Sequence, residues 1–225
     1  MSDTTTPSKH LLLWIDTETT AIKPEDGQLL EIGMRITNLD GTIPSEWQGY
    51  NPYNFSTVIP HSRISYTRDT EHAIRMHQDN GLLDEVLGTQ TAKSPGEWLL
   101  DIVDKLQDGG LHITLHPAGT NVDFDLAWLK AHQPKLIFTP LWDDTVSYRK
   151  LDLSTVRLTL ATVGINPYKP RRKPKHRVND CLDRDIWDWM NWAEWVEEHM
   201  DADDPDCDCD FGNSLHERFE SEGNE

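Results

Sequence analysis

The chain has 225 residues, of which 39 are acidic and 21 are lysine or arginine, so its formal net charge is −18. That length suits one domain with a sizeable core, and the acidic balance argues against a protein that coats nucleic acid passively. No apolar run approaches the roughly 20 residues that span a bilayer, and residues 1–10 lack the apolar segment of a signal peptide. Three cysteines make no disulfide framework, so we expect a cytoplasmic protein away from membranes.

Apolar runs and turn signals predict elements along most of the chain. The predicted strands are residues 11–15, 29–37, 56–59 and 111–115, and the predicted helices are 81–87, 94–107, 124–132, 154–164 and 179–200. Strands come early and later alternate with helices, which indicates a mixed sheet packed by helices. The segment from 62 to 80 is polar and is predicted to be loop with short helices. We expect a flexible N-terminus over 1–10 and one α/β domain over 11–200.

Charge is spread unevenly along the chain. Residues 201–225 hold ten acidic side chains and a single arginine, and this composition predicts a disordered tail. Its DCDCD run, residues 206–210, contains metal-binding residue types, but a plain solvated tail is the favoured interpretation. The most basic segment is KPRRKPKHR at 169–177, with six lysine or arginine residues. A basic loop of this kind suits a substrate that carries phosphate.

Carboxylates follow the first predicted strand. Asp16 and Glu18 are two residues apart at its end, so their side chains share a face and can point at one spot. Two converging carboxylates are costly unless a cation lies between them, and their oxygens suit Mg²⁺ or Mn²⁺. A solvated strand end explains the pattern about equally well.

Two later groups strengthen the hypothesis of a metal site. Asp123 and Asp125 begin a predicted helix, where an acidic residue is often only a cap or dipole partner. His176 lies beside the basic loop, with Asp180 after it. Three acidic clusters and a histidine fit phosphodiester hydrolysis, in which two metal ions clamp the attacking water and the leaving oxygen while the histidine takes a proton.

Four stretches resemble the DEDD exonucleases of the His type and, within them, the oligoribonucleases. They are WIDTETTAI (14–22), HQDNGLLDEVL (77–87), SYRKLDLSTVR (147–157) and HRVNDCLDRDI (176–186). The second and third are not expected in a generic proofreading nuclease. The resemblance covers roughly residues 10 to 195 and implies a ribonuclease H-like exonuclease fold, with a mixed central β-sheet flanked by helices.

The resemblance also implies site roles. Asp16, Glu18 and Asp125 would hold two Mg²⁺ or Mn²⁺ ions, and His176 would be the general base. Ile22 falls where the family has a leucine that wedges between bases, although a buried loop residue is an equal alternative. His77 would stack on a base. The expected contacts to the 5′ phosphate of a short RNA are Tyr148, Arg149 and Ser154, with a plain helix cap as the alternative for Ser154.

The chain departs from the family pattern in two places. The last metal-binding aspartate of the family lies five residues after the histidine, and that position here is Cys181. A thiol is a poor Mg²⁺ ligand, so we predict a register shift that lets Asp180 serve instead. In AGTNVDFD (118–125), Thr120 and Asn121 replace the family's Asn and Ser, which puts the phosphate contact of this loop in doubt.

Three functional hypotheses remain, in order of preference. The first is a metal-dependent 3′→5′ exoribonuclease that degrades short single-stranded RNA to 5′-mononucleotides. The second is a general 3′→5′ exonuclease on longer single-stranded DNA or RNA, favoured by the altered loop and the basic segment. The third is a nucleic-acid-binding protein that lost catalysis through Cys181. The resemblance also implies a homodimer, for which the stripe of Trp189, Trp192 and Trp195 would provide apolar surface.

Overall fold

The computed structural model describes residues 8–44, 53–107, 110–166 and 175–199. The strands are Ser8–Thr19 (β1), Leu29–Thr37 (β2), Asn54–Val58 (β3), His112–Gly119 (β4) and Leu151–Asp152 (β5). The α-helices are Glu71–Asp79 (α1), Leu82–Gly88 (α2), Pro95–Leu106 (α3), Val122–His132 (α4), Pro134–Ile137 (α5), Pro140–Thr145 (α6), Leu153–Thr162 (α7) and Val178–His199 (α8). The predicted acidic tail, its DCDCD run and most of the basic loop lie outside the described residues.

The five strands form one mixed sheet in the order β3-β2-β1-β4-β5. Strand β2 runs antiparallel to both β1 and β3, whereas β4 is parallel to β1 and β5 is parallel to β4. This is the ribonuclease H-like topology, and it confirms the predicted fold class. Strand β1 lies at the centre of the sheet, so the residues at its end are the best positioned to meet other elements.

Strand β1 is buried on both faces, which explains its continuous apolar sequence. Leu11, Leu13 and Ile15 belong to the larger core, which includes buried side chains of α3 and α4. Leu12 and Trp14 belong to a second core, on the face covered by α7 and α8. Because strand side chains alternate, Asp16 and Glu18 continue the face that α8 covers.

Helix α8 packs unusually close to the sheet at Gly33 of β2. A Cβ atom at Gly33 would lie 2.6 Å from Cβ of Val178 and 2.9 Å from Cδ1 of Leu182. Both of these side chains are fully buried. The absent side chain therefore lets α8 approach, and the two contacts fix the rotation of the helix about its axis.

Two local features differ from the sequence predictions. Strand β1 begins at Ser8, inside the N-terminus expected to be flexible, because Ser8 and Lys9 pair with β4. Helix α1 agrees with the short helices predicted within 62–80, and its inward face is held by buried Ile74. Ser154 is not the cap of α7, since its backbone N–H donates instead to Oδ1 of Asp152, 2.8 Å away.

Other local predictions are confirmed or refined. The helix predicted over 94–107 is α3, and Ser94 caps it by accepting a hydrogen bond from the Glu97 backbone N–H at 3.2 Å. In α8, the Trp189 indole N–H donates to the Leu39 carbonyl and its ring packs against the second core, whereas Trp187 and Trp195 are exposed. No described helix is both long and apolar enough to cross a membrane.

Candidate active site

The end of β1 and the start of α8 bring three ligand-bearing side chains together. Oxygen atoms of Asp16 and Glu18 and the sulfur of Cys181 all lie within 4.8 Å of one another. Glu18 and Cys181 are buried, and Cys181 Sγ is 3.9 Å from Glu18 Oε1. The predicted convergence of Asp16 and Glu18 on one spot is therefore present in the structure.

Helix α4 contributes a third carboxylate next to this group. Asp125 is buried, and its Oδ1 accepts hydrogen bonds from the Thr17 backbone N–H at 2.8 Å and the Thr17 hydroxyl at 2.7 Å. Thr17 lies between Asp16 and Glu18, so these bonds tie α4 directly to the end of β1. Asp123, two residues earlier on the same helix, is exposed and forms an ion pair with Lys150. The geometry thus separates the two aspartates and places Asp125 at the site.

Burial and mutual repulsion disfavour the charged forms of the three carboxyl groups. Burial, followed by the charge of Asp185, raises the pKa of Asp16 to about 7. Burial and then the charge of Asp16 raise the pKa of Glu18 to about 9. Burial and the Asp16 charge also raise the pKa of Asp125 well above its usual value. Within the described residues no lysine or arginine forms an ion pair with these three side chains, although neighbouring arginines partly offset their charge.

One buried atom indicates what would complete this group. Asp16 Oδ2 is inaccessible to solvent and has no hydrogen-bond partner. A buried polar atom without a partner is unfavourable, and a carboxylate oxygen among other carboxylates is a hard ligand suited to a divalent cation. The residues present therefore fit a metal ion at this position.

The start of α8 places Cys181, not Asp180, at the carboxylates. Asp180 is exposed, and its Oδ1 lies 3.1 Å from Lys175 Nζ. The predicted register shift is therefore absent, because the packing of Val178 and Leu182 on Gly33 fixes the helix rotation. Residue 181 shares the inward face with 178 and 182, whereas 180 lies about 200° round the helix from 178, on nearly the opposite face.

Asp185, which was not predicted as a site residue, is buried one helical turn after Cys181. Its Oδ1 accepts from Arg157 Nη2 at 2.9 Å and from both Nε and Nη2 of Arg184 at 2.9 Å, and its Oδ2 accepts from the Thr120 hydroxyl at 2.6 Å. Arg157 also contacts Asp188. The i, i+4 spacing from Cys181 was the available signal. Two arginines neutralise this carboxylate, unlike those at the end of β1.

His176 is held by its backbone in a left-handed conformation, with φ at 51°. The Asn80 side-chain amide donates to the carbonyls of Lys175 at 2.9 Å and His176 at 2.7 Å. The following residue, Arg177, forms paired hydrogen bonds to Glu31 of β2 and Glu85 of α2. Burial, and then the nearby charges of Arg184 and His72, hold the pKa of His176 below its usual value. Sequence reasoning missed Asn80 and Glu31, which support the predicted base.

The predicted substrate contacts fall into two groups. Ile22 is 83% exposed and Tyr148 is 80% exposed, with the Arg149 guanidinium carbon 5.2 Å from the Tyr148 ring centre. Exposure excludes the alternative of a buried loop residue at Ile22. Ser154 is half-buried on the first turn of α7, beside the Asp152 cap.

The structure does not support base stacking by His77. Its side chain has no exposed surface, and its Nε2 lies 3.1 Å from the Thr19 carbonyl oxygen and 3.7 Å from Glu18 Oε2. Burial lowers the pKa of His77 to about 4, so the ring is neutral. This residue packs behind the carboxylates because α1 folds over the end of β1, and its ring is not open to a base.

A ribonuclease H-like sheet with buried carboxylates at the end of its central strand defines the class of a nuclease. No protein-family model matches the chain. The oligoribonuclease of Tropheryma whipplei is 25% identical over 175 residues, covering 76% of this chain and 85% of that protein. The probable oligoribonuclease of Caenorhabditis elegans is 24% identical over 186 residues, covering 82% of this chain and 88% of that protein.

Among solved structures, apo exonuclease I aligns with 85% of this chain at 12% identity and a TM-score of 0.46, and this chain spans 42% of the exonuclease I chain. The curated relatives agree with the resemblance of the four sequence stretches. The chain is thus similar to oligoribonucleases at 24 to 26% identity, which supports a 3′→5′ exonuclease.

Proposed function

We propose that the chain is a metal-dependent 3′→5′ exoribonuclease that hydrolyses short single-stranded RNA to 5′-mononucleotides. The observation that carries this proposal is the convergence of Asp16 and Glu18, with Asp125 held against the intervening Thr17 and with a buried Asp16 oxygen that has no partner. The curated relatives are named oligoribonucleases, which favours short RNA as the substrate.

The metal ligands in this proposal are Asp16, Glu18 and Asp125. Their charge and oxygen chemistry suit two Mg²⁺ or Mn²⁺ ions. When bound, such ions supply Lewis-acid stabilisation of charge on the phosphate and lower the pKa of water. Thr17 holds Asp125 against the end of β1 through two hydrogen bonds, so the carboxylates are oriented before any ligand arrives.

His176 serves as the general base in this proposal. Its lowered pKa keeps the imidazole neutral near pH 7, and a neutral ring nitrogen can accept a proton from water. The Asn80 side chain holds the His176 carbonyl, which orients the backbone that carries the ring. Asp180 has no place in this set, because it lies outside the carboxylate group.

The exposed side chains near these elements are proposed to bind the substrate. Ile22 would pack between bases, as the family leucine does. Tyr148 and Arg149 would contact the terminal phosphate, since a guanidinium suits phosphate geometry. Ser154 would add a hydroxyl on the first turn of α7, where phosphate oxygens are favoured.

A second candidate is a general 3′→5′ exonuclease on longer single-stranded DNA or RNA. It is favoured by the loop before α4. The Thr120 hydroxyl is already bonded to Asp185 and Arg157, and the Asn121 backbone N–H donates to Asp152 at 3.1 Å. Because these groups already have hydrogen-bond partners, the loop has fewer donors left for the terminal phosphate of a substrate. A weaker contact to that phosphate would limit the length of the substrate less strictly.

Hydrolysis of 5′-labelled RNA of two, five and twenty nucleotides with Mn²⁺, beside DNA of the same lengths, distinguishes the two candidates. The proposal predicts fast cleavage of the two-mer with the twenty-mer largely intact. Equal trimming of the twenty-mer, or equal use of DNA, would favour the general exonuclease. Loss of two-mer cleavage in Arg149→Ala, with the twenty-mer unaffected, would locate the length limit.

We also infer a homodimer in the cytoplasm. Trp187 and Trp195 expose large aromatic surface on α8, which would be covered by a second copy of the chain. Sedimentation at micromolar concentration should give twice the mass of 25.9 kDa. A wild-type monomer, or a dimer unaffected by Trp195→Lys, would contradict this role of α8.

A further inference from the structure

A thiol lies inside the candidate metal site. Cys181 is 8% exposed, and its sulfur lies within 4.8 Å of ligand oxygens of Asp16 and Glu18. It is the free cysteine of the described residues. No cysteine is needed for carboxylate-based metal binding, so its position in the group requires an explanation.

We propose that Cys181 Sγ is itself a metal ligand, so that the centre is a mixed carboxylate–thiolate site that prefers thiophilic divalent ions such as Zn²⁺ to Mg²⁺. This inference rests on the proposed metal site. Carboxylate oxygens suit Mg²⁺ and Mn²⁺, whereas thiolates select softer ions. The residues Asp16, Glu18 and Cys181 together offer two oxygens and one sulfur, which is a set that tetrahedral Zn²⁺ accepts.

The distance between sulfur and oxygen agrees with a shared ion. Sulfur and oxygen bound to one tetrahedral Zn²⁺, at about 2.3 and 2.1 Å from it, lie about 3.6 Å apart. The observed separation of Cys181 Sγ from Glu18 Oε1 is 3.9 Å. A small side-chain rotation closes the difference, and Asp16 Oδ2 is available because no hydrogen bond holds it.

Metal binding at this centre replaces the S–H bond of the cysteine by a metal–sulfur bond. The S–H bond of Cys181 breaks, the metal–sulfur bond forms, and the proton leaves to solvent. The divalent cation supplies the positive charge that compensates the thiolate.

The alternative is a buried thiol that donates weakly to Glu18 and binds no metal. The test is a titration with Co²⁺, a spectroscopic substitute for Zn²⁺, because thiolate coordination produces a charge-transfer band in the near ultraviolet. Cys207 and Cys209 in the tail would confuse this signal. The full chain carrying Cys207→Ser and Cys209→Ser is therefore the background.

In that background the inference predicts that the band appears at one thiolate per chain. Adding Cys181→Ser should abolish the band and weaken Co²⁺ binding by about tenfold or more. Cys181→Asp should also lack the band but bind Mg²⁺ more tightly than the background does. The absence of a band in the background, or a band that survives Cys181→Ser, would overturn the inference.

The titration separates this inference from the proposed function. The band reports coordination by sulfur and does not require hydrolysis. A band with no hydrolysis of RNA in any divalent ion would remove the proposed function and leave the thiolate site in place. Hydrolysis without a band would do the reverse. Thermal unfolding of each variant without metal confirms that the chains compared are folded.

Discussion

The end of β1 and the start of α8 meet at the site, yet they balance charge in different ways. On α8 and its surroundings, Asp185 is bound by Arg157 and Arg184, and Glu31 is bound by Arg177. At the end of β1, partly buried Asp16 and buried Glu18 have no ion-pair partner of this kind among the described residues. The first region is complete as it stands, whereas the second gains from a cation. This contrast indicates which side chains bind and which support.

The largest effect is expected from the third carboxylate. Asp125→Asn keeps an oxygen that accepts the Thr17 hydrogen bonds but removes the charge needed for a cation. We expect RNA hydrolysis to fall roughly 10³-fold, as a loss of several kcal/mol of transition-state stabilisation implies. Asp123→Asn on the same helix is the matched control and should retain activity. Equal effects of the two substitutions would refute the assignment of Asp125.

A smaller loss is expected when the proposed general base, His176, is removed. His176→Ala should lower kcat by about 10²-fold or more, because proton transfer to a positioned side chain typically contributes that much. The acidic limb of the pH profile should also disappear, since the neutral form of His176 is the active one. A profile that keeps its acidic limb in His176→Ala would assign the base to another group.

A still smaller loss of activity is expected when Asn80, whose side chain supports the backbone at His176, is replaced. Asn80→Ala removes both donors to the carbonyls of Lys175 and His176. We expect kcat to fall by about tenfold with KM nearly unchanged, because misplacement of a catalytic group costs rate more than binding. Gln78→Ala, at an exposed position on α1, is the control. A change confined to KM would indicate that Asn80 contacts the substrate instead.

The carboxyl groups at the end of β1, which have no compensating cation, should also affect the stability of the folded chain. In the metal-free protein, the pKa of Glu18 is about 9 instead of 4.5, so the folded chain binds more protons than the unfolded chain between these pH values. The free energy of unfolding therefore decreases as pH rises from about 5 to 9. Melting with a chelator should show this decrease, and Glu18→Gln should flatten it, whereas Glu25→Gln should not. A melting temperature independent of pH would contradict the burial of an uncompensated carboxylate.

The smallest effect separates the two neighbours on α8. Asp180→Ala removes only a surface ion pair with Lys175, which contributes about 0–1 kcal/mol. Activity with Mn²⁺ should therefore stay within about twofold, whereas Cys181→Ala should alter the dependence on metal. A large loss in Asp180→Ala would restore the register shift predicted from the sequence.

Much of the end of β1 could be predicted from the sequence, because the residues that indicate its structure are close together in the chain. An apolar run followed by Asp16 and Glu18 indicates a buried strand that ends at a site, and the period of two places both carboxylates on one face. Ser94 and Glu97, three residues apart, are likewise a local signal for the start of α3. In these cases the residues that make the structure are close together in sequence.

The start of α8 required information from distant residues. Which of Asp180 and Cys181 faces the site depends on Gly33, nearly 150 positions earlier, because its missing side chain sets the helix rotation. The burial of His77 and the contact of Asn80 with His176 depend on how α1 folds over β1. Such contacts leave no periodic signal in a single sequence.

The most direct test of the central claim is product analysis of a 5′-labelled RNA five-mer incubated with the protein and Mn²⁺. We expect stepwise shortening from the 3′ end with release of 5′-mononucleotides, complete loss of the reaction with a chelator, and no reaction by Asp16→Asn. Hydrolysis that persists without divalent ions, or an intact RNA in the presence of every divalent ion tried, would contradict the claim that Asp16, Glu18 and Asp125 form a metal-dependent exonuclease site.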